Sequence, residues 1–129
     1  MTGKKLSHLD GKGRATMVDV SSKPVSRRRA VAEASLRMRE ETFRLIAAGG
    51  VAKGDVLAAA RLAGIQGAKK TPELIPLCHP LLLGKVDISF SHRKEGKGNV
   101  ALRVVATVIA EGQTGLEMEA MVAASTAAL

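Results

Sequence analysis

Two alternating stretches joined by a glycine-rich turn constrain this chain more than any other feature. Val86, Ile88 and Phe90 alternate with Asp87, Ser89 and Ser91, and beyond Glu95-Gly96-Lys97-Gly98-Asn99 the alternation resumes in Val100, Leu102, Val104, Ala106 and Val108. A period of two places every apolar side chain on one face of a strand, and the turn residues reverse the chain. The spacing predicts a hairpin of two long strands with an apolar face that has to be covered. A third half-buried strand is predicted over Arg28 to Arg39, where Ala30, Ala32, Ala34, Leu36 and Met38 share one side.

The cover is helical. Glu40 to Ala48 sets Phe43, Ile46 and Ala47 at helical spacing and stops at Gly49-Gly50, where glycine accepts the left-handed conformation that ends helices. Asp55 precedes the Ala-rich run from Val56 as an N-cap, and that helix ends near Pro72. Gly64 and Gly67 weaken it but permit another backbone to approach closely. After the break at Gly112-Gln113-Thr114-Gly115, Glu117 to Leu129 is rich enough in Ala and Met for a final helix. The order strand, helix, helix, two strands, helix predicts an α+β domain, an antiparallel sheet with helices packed on one face, over residues 26–129. Residues 1–25, polar and without a period, read as a flexible N-terminal arm.

A chain of 129 residues with 46% apolar composition suits one domain, and with Phe43 and Phe90 its only aromatics the core must rest on small aliphatic side chains. Such a core leaves apolar faces for oligomerisation. No apolar run reaches membrane-spanning length, Met1 to Leu6 lacks the apolar segment of a secretory signal, and a single cysteine forms no internal disulfide; a cytoplasmic location is expected, without a membrane partner. The formal charge of +8 points to an anionic partner. Basic residues are scattered over several elements, with almost no aromatics among them for stacking on bases, so nucleic acid is not the expected partner. A basic nucleic-acid-binding module using Arg27 to Arg29, Lys69 and Lys70 stands as one alternative, and a noncatalytic oligomeric scaffold as another.

Chemistry concentrates in three places. Thr71-Pro72-Glu73-Leu74-Ile75-Pro76-Leu77-Cys78-His79-Pro80-Leu81 sets the only cysteine beside a histidine between prolines, which restrict the residues before them and hold Leu77, Cys78 and His79 rigid and extended. That reads as a pocket wall with His79 as a ligand-binding donor; the alternative is a buried Cys acting as a small hydrophobe beside a core His. Lys53-Gly54-Asp55 places a lysine before a helix N-terminus, where an anion is favoured, or else is a loop lysine beside a capping aspartate. Leu116-Glu117-Met118-Glu119 gathers carboxylates that orient a base edge or move a proton, or else merely complement a helix dipole. Two residues apart on a helix they point to different sides and share a pocket only where the chain is still turning. No metal site is expected: Cys78 and His79 are neighbours on an extended segment, without a second ligand pair. Nor is Cys78 read as a nucleophile, since its direct neighbour His79 is poorly placed to act as its base.

Taken together, Met17-Val18-Asp19-Val20, Lys53-Gly54-Asp55-Val56, Ala63-Gly64-Ile65-Gln66, Lys69-Lys70-Thr71, Leu74 to Leu81 and Thr114-Gly115-Leu116-Glu117-Met118-Glu119-Ala120 resemble the molybdenum cofactor biosynthesis protein C family. The resemblance implies a ferredoxin-like subunit, a hexamer built as a trimer of dimers with the active site at the dimer interface, and no cofactor. It implies a lyase that converts a purine-derived nucleoside triphosphate, 3′,8-cyclo-7,8-dihydroguanosine 5′-triphosphate, into cyclic pyranopterin monophosphate with release of pyrophosphate. By motif position Lys53 is similar to the family's catalytic lysine and Arg28 to its phosphate-binding arginine. Leu77, Cys78 and His79 resemble the substrate-binding wall, and Glu117, Met118 and Glu119 the segment contacting the base. The family's pattern continues with an Asp-x-x-Lys pair and a Gly-Gly-Lys-Ser-Gly tail, which these 129 residues do not contain. The expectation is therefore a piece of a longer protein carrying an incomplete set of catalytic groups.

Overall fold

A computed structural model describes residues 7–49 and 55–129. The predicted strands form: β1 spans Ser26–Arg39, β2 Lys85–Glu95 and β3 Asn99–Gly112. They make an antiparallel sheet in the order β1-β3-β2, with β3 central. The hairpin turn between β2 and β3 closes through Gly96 and Gly98, both at positive φ (60° and 76°), a conformation that costs side-chain-bearing residues and not glycine. Register keeps the apolar positions together: Ala30, Ala32 and Ala34 of β1 face Val108, Ala106 and Val104 of β3, which face Val86, Ile88 and Phe90 of β2 on the other side.

Helices cover that face. α1 (Glu40–Ala47) begins where β1 ends, its first amide donating to the Gly98 carbonyl at 2.9 Å. α2 (Val56–Lys69) starts at Asp55, whose carboxylate accepts from the Ala58 amide at 3.0 Å, the expected N-cap. One element was not expected. Thr71–Leu74 forms a short helix, α3, because proline in a first turn lacks only an N–H that would be unpaired there anyway. The buried Thr71 hydroxyl stitches α3 to α2 by donating to the Gly67 carbonyl at 3.1 Å. The last helix, α4 (Glu117–Ala128), buries Ala120, Ala123, Ala124 and Ala127 against the sheet. The fold is α+β, as the element order predicts, and ferredoxin-like, as the resemblance implies. No helix among the described residues is long and apolar enough to cross a membrane.

The core lies between sheet and helices: Val104, Ala106 and Val108 of β3 and Ala123 of α4 are wholly buried. Its small side chains bring α2 and α4 into near backbone contact, and the two glycines of α2 make this possible. A Cβ at Gly64 would lie 3.0 Å from the Ala123 carbonyl oxygen and 3.1 Å from the Ala127 Cβ, and one at Gly67 would lie 2.7 Å from the Thr126 Oγ1. We expect Gly67→Ala to destabilise by about 1 kcal/mol, because overpacking costs roughly 1–3 kcal/mol and exceeds the gain of about 1 kcal/mol in helix propensity. Adding Thr126→Ala removes the nearest obstructing atom, Oγ1, and leaves only the Cβ at 3.0 Å, so the double variant should recover most of that loss. Urea midpoints of the two singles and the double decide it, and additive effects would disprove the close approach.

Candidate active site

A cavity of about 740 Å³ opens where three segments meet: the turn before β2, the loop entering α4, and the stretch that precedes β1. The first wall differs in detail from the extended segment expected of it. Pro76 and Leu77 form a turn, closed by the Cys78 amide donating to the Ile75 carbonyl at 3.1 Å, and Cys78 and His79 both line the cavity instead of facing opposite sides. The second wall is Thr114, Gly115 and the first turn of α4. Glu117, Met118 and Glu119 all reach the cavity because it lies off the end of the helix, where side chains from different sides of one turn converge.

Val18, Val20 and Lys23 supply the third wall, which other elements hold through its main chain. His79 Nε2 lies 2.6 Å from the Val18 carbonyl oxygen. A carbonyl only accepts, so this nitrogen carries the proton and donates. The Gln113 side-chain amide donates to the Lys23 carbonyl at 2.8 Å and to that of Ser21 at 3.3 Å. Between these two anchors Asp19 accepts from the Ser21 hydroxyl at 2.6 Å and its amide at 3.0 Å. Those bonds hold its carboxyl below the usual carboxylate range, with a smaller contribution from nearby His79.

The cavity's most confined polar group is Glu119, 2% exposed in the first turn of α4. Unpaired helix N–H groups and the dipole there favour a carboxylate. Its Oε2 accepts from the Cys78 thiol at 3.5 Å, and its Oε1 has no hydrogen-bond partner among the described residues. Burial, followed by the charge and hydrogen bond of Glu119, pushes the Cys78 thiol up to about 11. A thiol so placed is protonated at neutral pH, so it donates a hydrogen bond and is a poor nucleophile.

Of the residues singled out from sequence, Leu77, Cys78, His79, Glu117, Met118 and Glu119 meet in this one cavity. Arg28 does not line it within one chain; its Nε donates to the Gly112 carbonyl at 3.2 Å, at the head of the loop that enters α4. Lys53 lies outside the described residues. Sequence reasoning missed Lys23 and His8, which also line the cavity. Lys23 follows the Met17-Val18-Asp19-Val20 block closely enough to have been considered with it; nothing in the sequence marks His8. Among the described residues no three His, Cys, Asp or Glu side chains are placed so that they could hold one metal ion.

The fold and the site define a ferredoxin-like α+β protein with a carboxylate-bearing cavity at one helix end, basic overall. Residues 17–129 match the model of the MoaC family, and the chain belongs to that family. A cyclic pyranopterin monophosphate synthase from Listeria welshimeri is 53% identical over 124 residues, covering 96% of this chain and 75% of the relative. One of the same name from Listeria monocytogenes is 52% identical over the same spans.

The thiol's environment makes a measurable prediction. With its acidity moved from 9.0 to about 11, Cys78 holds roughly a hundredfold less thiolate near pH 8 than a free cysteine does. Iodoacetamide should therefore label the folded chain far more slowly than the urea-unfolded chain, and Glu119→Gln should narrow the gap. Equal rates in folded and unfolded chains would refute the assignment.

Proposed function

We propose that this chain converts (8S)-3′,8-cyclo-7,8-dihydroguanosine 5′-triphosphate into cyclic pyranopterin monophosphate with release of pyrophosphate, a step of molybdenum cofactor biosynthesis. The observation that carries the reading is the meeting of His79, Cys78, Glu117 and Glu119 in one cavity, in a chain about half identical to synthases of that name. Opening and rebuilding a purine-derived ring requires several proton transfers at fixed positions, and a buried carboxylate with one free oxygen is suited to accept a ring proton or orient a ring N–H. His79, committed through Nε2 to the arm, keeps Nδ1 for substrate. Leu77 and Met118 provide apolar wall for the ring faces.

The triphosphate requires cations. Lys53 is the proposed acid/base and phosphate contact, Arg28 the phosphate clamp, and Lys23 a further positive charge on the cavity rim. Arg28's position outside the cavity of its own chain fits a site completed across a subunit interface, within a hexamer arranged as a trimer of dimers. Residues 26–129 form the catalytic domain and the preceding arm closes its cavity. The enzyme works in the cytoplasm without a cofactor.

Incubation of the chain, extended by the Asp-x-x-Lys segment with which the family's pattern continues, with the cyclic dihydroguanosine triphosphate should yield pyranopterin product, which Lys53→Ala should abolish. Glu119→Gln should lower kcat by about a hundredfold or more, the usual worth of a positioned acid/base group. Absence of product from that extended chain, or equal product from its Lys53→Ala variant, would overturn the assignment.

A further inference from the structure

Glu119 has the least complete environment in the cavity. A buried carboxylate oxygen without a donor is costly, and such groups persist in folded proteins where a bound partner satisfies them. Among the described residues Oε1 is such an atom, while Oε2 is held by the thiol of Cys78 at 3.5 Å. Both backbones are firmly placed: Cys78 ends a closed turn after Pro76, and Glu119 precedes the buried alanines of α4. The carboxylate itself stands on rotatable bonds, and no other side chain among the described residues hydrogen-bonds it. The thiol is the contact that selects its orientation.

We propose that Cys78 is a positioning residue for the reaction: its thiol ties down Oε2 of Glu119 and thereby directs Oε1 to an N–H group of the purine-derived ring in the cavity. This rests on the function proposed above and adds to it a role for the lone cysteine. Rings of this class carry amide and amino N–H groups side by side, and an ionised Oε1 accepts from either. A thiol suits the task because it gives one weak hydrogen bond and otherwise presents an apolar surface, so it does not compete for the ring's polar groups.

Three substitutions separate positioning from mere wall packing. Cys78→Val keeps the apolar bulk and loses the donor, Cys78→Ala loses both, and Cys78→Ser keeps a donor on a shorter bond. Positioning predicts that Val and Ala each lower kcat by about tenfold or more with KM little changed, while Ser retains most of the rate. A wall role predicts the opposite order, Val best and Ser worst, and that order overturns the proposal. A second readout needs no turnover. The single cysteine gives one S–H stretching band in the infrared, expected at lower frequency in the folded chain than in Glu119→Leu or in the urea-unfolded chain. A band unmoved between folded and unfolded chains overturns the proposal. A displaced band from a chain that makes no product even when extended by the family's Asp-x-x-Lys segment supports the thiol–carboxylate contact and overturns the proposed reaction instead.

Discussion

The close seating of α4 on the sheet and on α2 is the constraint from which the rest follows. Ala30, Ala32 and Ala34 from β1, Ala106 and Ala110 from β3, Gly64 and Gly67 from α2, and four alanines from α4 leave almost no side-chain depth between backbones. Larger residues would bury more area per position. Small ones instead maximise the number of atoms in contact between rigid elements and leave few alternative packings. That rigidity sets where the first turn of α4 points, and so where Glu117 and Glu119 stand.

The cavity inherits its chemistry from this arrangement. A helix end brings residues from different sides of one turn to a common opening, together with unpaired N–H groups that favour negative charge. Opposite it stands a proline-bounded turn, whose thiol and imidazole sit on a backbone with little freedom. One carboxylate thus stands at the helix end while remaining, among the described residues, short of a hydrogen-bond partner on one oxygen. Such an incomplete environment stores the capacity to bind.

Much of this was legible in the sequence because the signals were periodic. Alternation over three strands specified the sheet and its covered face, Asp55 marked the start of α2, and Gly64 and Gly67 announced the close helix contact that Ala123 and Thr126 provide. What escaped was short or depended on distant partners. The four residues of α3 are too few to show a period, and the turn at Pro76 and Leu77 was taken for extended chain because proline's local preference allows both. The sharing of one cavity by Cys78 and His79, and by Glu117 and Glu119, followed from that turn and from the helix end, which residue spacing alone does not reveal. The contribution of His8 was hidden and that of Lys23 showed only in its nearness to the Met17-Val18-Asp19-Val20 block, since the stretch that carries them has no apolar period and is placed by Gln113 and His79 far along the chain.

The way that stretch is fastened has a corollary. His79 and Gln113 grip it by the carbonyl oxygens of Val18, Ser21 and Lys23, atoms that every residue type possesses. The latch therefore makes no demand on the side chain of Lys23, so a change of charge at that point of the cavity mouth would leave the fastening itself intact.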